Sequence, residues 1–183
     1  MAYKNKIISN PKTGQDIKFL QLGEETEGSL LEMESTYHSR SKEPAPHYHP
    51  YQSEVFEVIS GELTVKIGGK IKVLKQGDTL HIPSNQTHSM WNNSAGKTIV
   101  NWKVQPAMET AALLETIFGL ATEGRTNESG MPALLQMVLT ANRYSKVLRL
   151  SKPPFVVQKL LFTVLTPFAY LMNYRPTYKK FLQ

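Results

Sequence analysis

At Pro106 the apolar residues change their period, and that change sets what the chain can fold into. Over residues 7–104, apolar runs are short and are broken by turn signals at close intervals, the texture of an antiparallel sandwich or barrel. Candidate strands fall at 16–22, 29–38, 53–60, 62–67, 70–75, 78–82, 86–91 and 97–104. Gly68-Gly69, between Leu63/Val65/Ile67 and Ile71/Val73, signals a two-residue hairpin, because both glycines reach positive φ without strain. After Pro106 the period becomes helical. Leu113, Ile117 and Leu120 form one stripe over 107–121, with Leu114, Phe118 and Ala121 beside it. A second helix is expected from Pro132 toward Leu150, and a third from Phe155 to about Leu165, where Pro167 must kink or stop it.

Within the strand-like part, His47-Tyr48-His49 is followed by Glu54, and His88 closes a Gly77–His88 segment. Residues i and i+2 of a strand share a face, so His47 and His49 can bind one ion side by side and Glu54 can join them after a short turn. Neutral imidazoles and a carboxylate suit a divalent transition metal such as Fe, Mn, Ni, Co, Cu or Zn. The competing reading is that these groups only satisfy one another by hydrogen bonds.

The spacings resemble the two motifs of the cupin family. The first, HxH, four residues, Glu, six residues, Gly, is met by His47, His49, Glu54 and Gly61. The second is met by Gly77, Pro83, His88 and Asn92, with Asn85 where the family has Gly, a residue that tolerates the same left-handed turn. Ser41 stands where the family has a leading Gly. The resemblance implies an all-β jelly roll, the cupin-type double-stranded β-helix barrel, over 1–105. Residues 106–183 then form a C-terminal α-helical extension packed on the barrel or on a partner subunit. It further implies a metal held by His47, His49, Glu54 and His88, with dioxygenase or isomerase chemistry available to it.

Strand parity puts Phe56 on Glu54's inward face and Met90 on that of His88. These two, with Tyr37 and Trp102, are candidate walls of a substrate pocket. For Tyr37 a surface or interface position is the alternative, and for the others plain core packing. His81 should face outward, nothing distinguishes His38, and Asn92 reads as a turn or hydrogen-bonding residue. Three His and one Glu leave coordination positions open, so two functions fit. One is a metal-dependent enzyme acting on a small organic molecule; the other is a non-catalytic binding or sensing module.

Charge narrows the partners. The eight Lys and Arg after Gly130 meet no Asp or Glu, whereas residues 1–130 hold thirteen basic and fifteen acidic side chains. This basic, apolar tail lacks the aromatic interleaving of a nucleic-acid surface, so none is expected as a partner. Residues 160–172 are strongly apolar but too short, with Pro167 among them, to span a bilayer. The expectation is that the helices cover a sheet face behind Val55 and Ile59, or a partner in a homodimer; contact with a membrane surface is the alternative. A polar N-terminus and the absence of cysteine suggest a cytoplasmic protein.

Overall fold

In the computed structural model, which describes residues 2–182, two antiparallel sheets close a barrel. The strands are β1 (Ile7–Asn10), β2 (Gln15–Gln21), β3 (Leu31–Tyr37), β4 (His47–Tyr48), β5 (Ser53–Ser60), β6 (Glu62–Ile67), β7 (Lys70–Lys75), β8 (Thr79–Ile82), β9 (His88–Trp91), β10 (Thr98–Gln105) and β11 (Arg149–Leu150). One sheet has the order β1-β2-β3-β10-β5-β8, the other β11-β4-β9-β6-β7. This is the jelly roll that the sequence led us to expect.

Alternation makes the barrel. In β3, Leu31, Met33, Ser35 and Tyr37 are buried while the residues between them are partly exposed, and β10 repeats the pattern with Thr98, Val100, Trp102 and Val104. The inward residues of both sheets meet in one core that includes Phe19, Phe56, Leu63 and Val65. Gly68 (φ 54) and Gly69 (φ 84) turn β6 into β7, keeping Ile67 opposite Lys70. At the other predicted turn Asn85 adopts φ 63, the left-handed conformation it was expected to tolerate.

Three helices follow: α1 (Thr110–Thr122), α2 (Leu134–Arg143) and α3 (Phe155–Leu171). Leu114 and Phe118 of α1 enter the barrel core itself. Buried Gln52 fastens the start of this helix, its Nε2 donating to the Pro106 and Ala107 carbonyls and to Thr110 Oγ1. Lys6 adds an ion pair with buried Glu115 at 2.6 Å.

Several expectations need correction. Helix α2 stops at Arg143 instead of continuing toward Leu150, because the next residues serve other contacts. Tyr144 and Val147 are buried, and β11 pairs with β4, Leu150 opposite His47. Helix α3 runs through Pro167 to Leu171. The carbonyl that Pro167 leaves without a donor belongs to exposed Thr163, where water can satisfy it, so one lost bond does not end the helix. Nor do the helices cover the sheet face behind β5: Ile59 remains 45% exposed. Helix α1 instead closes the barrel mouth, and α3 packs on α2.

Candidate metal centre

The two sheets contribute opposite sides of one site. His47 and His88 face each other as partners across β4 and β9, and His49 follows one residue after β4. Glu54 comes from β5 in the other sheet, opposite Ile82 on β8 and Val104 on β10. Ring centroids lie 5.3 Å (His47–His49), 4.6 Å (His47–His88) and 5.5 Å (His49–His88) apart. One nitrogen from each imidazole falls within 4.8 Å of the others.

Each ring is held by a backbone carbonyl. His47 Nδ1 lies 3.0 Å from the Ala45 oxygen, His49 Nδ1 2.7 Å from that of Val147, and His88 Nδ1 2.9 Å from that of Gln86. A carbonyl only accepts, so each Nδ1 carries the hydrogen, and in the neutral ring the lone pair is then on Nε2. His88 Nε2 lies 3.0 Å and His49 Nε2 3.4 Å from Glu54 Oε2. Neither contact is aligned as a hydrogen bond, and both His49 Nε2 and Glu54 Oε2 are buried without a hydrogen-bond partner among the described residues. Such atoms cost free energy unless a cation, a water or a shared proton satisfies them, and of these a cation engages both lone pairs at once. The other carboxylate oxygen, Oε1, accepts from Trp102 Nε1 at 3.0 Å.

Electrostatics follow from burial and crowding. Burial, reinforced by His88 and His49, lowers the His47 pKa to about 3, which keeps that ring neutral as a ligand must be. For Glu54 burial alone would push upward, but the surrounding imidazoles reverse it and leave the carboxyl at about 2. His88 moves upward: burial opposes protonation, and Glu54 outweighs it. Buried Tyr37 is also shifted up, chiefly by desolvation, so its hydroxyl stays protonated at physiological pH. Among the described residues Glu54 has no Lys or Arg ion partner. A buried carboxylate facing three imidazole nitrogens fits a divalent transition cation.

Beside these groups lies a cavity of about 110 Å³, lined by Tyr37, Phe56, Met90 and Trp102 and roofed by Leu113, Leu114, Ile117 and Phe118 of α1. All four expected wall residues are therefore here, with Phe56 and Trp102 stacked at 5.5 Å. A neighbouring apolar cavity of about 170 Å³ shares His47, Leu113, Ile117, Phe118 and Leu148 with it and reaches Met131 and Thr13. His81 is exposed, as expected. His38, which nothing in the sequence distinguished, pairs with Asp16 at 2.7 Å on the surface. Buried Asn92 donates to the carbonyls of Tyr37, His38 and Gly96, and its own N–H reaches Ser41 Oγ. Ser41 thus ties down the loop where the motif has Gly.

Sequence reasoning missed two supports of the site. One is the Trp102–Glu54 bond, the other the Val147 carbonyl, which lies 98 residues from His49 and belongs to the helical extension.

The cupin domain profile matches residues 33–102, the segment that carries all four candidate ligands. A 43-residue stretch is 42% identical to quercetin 2,3-dioxygenase of Bacillus subtilis (strain 168), covering 24% of this chain and 13% of that protein. The match thus spans about an eighth of the length of that curated relative. Among solved structures, an RmlC-like cupin from Shewanella frigidimarina superposes with a TM-score of 0.50 at 24% identity, covering 58% of this chain and 88% of the other. A predicted oxalate decarboxylase from Thermotoga maritima gives 0.50 at 20% identity, covering 56% and 92%. Both share the barrel fold.

Proposed function

The chain belongs to the cupin family through residues 33–102, and from that premise we propose that it is a metal-dependent enzyme acting on a small organic molecule. His47, His49, Glu54 and His88 would hold a divalent transition metal. The observation that carries this reading is the convergence of buried, unpartnered His49 Nε2 and Glu54 Oε2 in a site whose three imidazoles are each oriented through Nδ1. The bound ion would supply Lewis acidity and open coordination positions for substrate or dioxygen.

The chain's own residues do the rest. Glu54, ionised and fixed by Trp102, balances the cation's charge. Tyr37 offers a neutral hydroxyl as hydrogen-bond donor. Phe56, Met90 and Trp102 supply an apolar wall, and α1 across the mouth excludes bulk water. The adjoining cavity at His47 gives the substrate a way in, or a place for its distal end.

Dioxygenase chemistry is the first candidate, in keeping with the partial match to quercetin 2,3-dioxygenase; isomerisation is the second. The apolar lining also suits a binding or sensing module that uses the ion only to anchor its ligand. Oxygen uptake by Fe-, Mn-, Co- and Ni-loaded protein, measured across small hydroxylated aromatics and enolisable acids, separates these readings. Metal-dependent uptake with product formation supports the dioxygenase. Product formation without uptake supports the isomerase, and saturable thermal stabilisation by a compound that is never turned over supports the binder.

A further inference from the structure

Helix α3 has two apolar faces and the fold uses one. Gln158, Phe162 and Ala169 are buried, and the helix packs on α2. On the opposite side, Val156 (79%), Leu160 (65%), Val164 (52%), Phe168 (56%) and Leu171 (80%) are open to solvent, as is Val157. At 3.6 residues per turn these six side chains fall within an arc of about 120°, and no polar side chain of α3 lies inside it. No described segment covers the arc. The chain beyond α3 turns back to the other helices instead, Thr177 meeting Thr116 and Tyr178 meeting Arg125 and Gln136. An exposed apolar surface of this extent marks an interaction site.

Charge selects the occupant. Residues 131–183 carry eight basic and no acidic side chains, with Lys152 and Lys159 near the start of the helix and Arg175 and Lys179 after its end, while Lys180 is paired with Glu123. A second copy docked through the same arc would bring two acid-free basic segments together. An anionic lipid leaflet presents phosphates to the basic residues and acyl chains to the arc. The helix is too short to cross a bilayer, and no described helix is long and apolar enough to do so, so it would lie in the interface plane.

We propose that α3 docks this protein in-plane on an anionic phospholipid surface. Only Ser151–Pro154 separate the helix from β11, which pairs with the His47 strand, so docking would hold the barrel mouth's extension close to the lipid. Flotation of the full chain with phosphatidylcholine vesicles, with and without phosphatidylglycerol, tests this. The wild type should float with the anionic vesicles and be released by high salt. Leu160→Glu/Leu171→Glu should reduce the bound fraction by about tenfold or more, since two large apolar side chains would no longer enter the interface. Both leucines are exposed, so the thermal midpoint should not move; Leu160→Ser/Leu171→Ser serves as the milder variant should the glutamates disturb folding.

Wild-type protein that remains free of anionic vesicles would overturn the proposal, and so would binding that neither double variant weakens. A lipid-free dimer that the double variants dissociate, from a protein that ignores vesicles, would assign the arc to a second copy instead. None of these readouts depends on the metal site.

Discussion

Trp102→Phe removes the hydrogen bond that fixes Glu54, the ligand that the β5 sheet brings to the candidate metal centre. The indole Nε1–H donates to Glu54 Oε1 at 3.0 Å, and both side chains are buried. Losing a bond to a buried charged group costs about 1.5–3 kcal/mol, and the smaller ring leaves a gap worth about 1 kcal/mol more. A total of about 2.5–4 kcal/mol lowers the melting temperature by about 5–16 °C for a chain of this size. Because an outer partner of a ligand is lost as well, metal affinity should fall about 10- to 100-fold. The assay is a pair of melts, metal-free and metal-loaded, together with metal titration by competition with a chromophoric chelator. Trp91→Phe is the control. Trp91 lies on β9 but is only partly buried, and its removal should cost under about 1 kcal/mol and leave affinity unchanged. If Trp102→Phe behaves like the control in both measurements, the claim that this indole positions Glu54 is wrong.

The other predictions concern acid and backbone conformation. In metal-free protein the folded His47 refuses a proton that the unfolded chain accepts, so its contribution is present above about 6.5 and is lost as pH falls toward about 3. Glu54 acts in the same direction between its ordinary value of 4.5 and about 2, whereas His88, whose pKa is raised, contributes most below 6.5 and loses that contribution as pH rises. Urea melts across this range should therefore show stability falling below about pH 6.5 and more steeply below about 4.5, where Glu54 joins His47; a flat profile from pH 6 to 3 contradicts the assignment. Gly61→Ala should cost at least about 2 kcal/mol by urea denaturation, because φ is +81 and the new Cβ would sit 2.6 Å from the Lys97 carbonyl oxygen. A loss under about 0.5 kcal/mol would mean that the turn relaxes freely.

What the sequence disclosed and what it hid follow a physical line. Strands β5, β6 and β7 fall at the residues expected because alternation and the Gly68-Gly69 turn are local signals. The cluster of His47, His49, Glu54 and His88 was legible because motif spacing already encodes which strands meet. Two-residue strands such as β4 and β11 leave no periodic trace, since they exist only through pairing with distant chain. The stripe of α1 announced a buried face, but not that Leu114 and Phe118 would close the barrel mouth over the site. Nor could periodicity show that the segment around Val147 leaves its helix to hold His49, or that α3 would pass through Pro167 with one apolar face unpartnered.

Whether His47, His49, Glu54 and His88 hold a divalent transition metal is tested most directly by elemental analysis of protein purified without chelator. It should contain one such ion per chain, which is lost in a folded His49→Ala/His88→Ala variant. Protein that holds no ion and cannot be loaded, or a double variant that keeps the ion in full, would contradict the assignment.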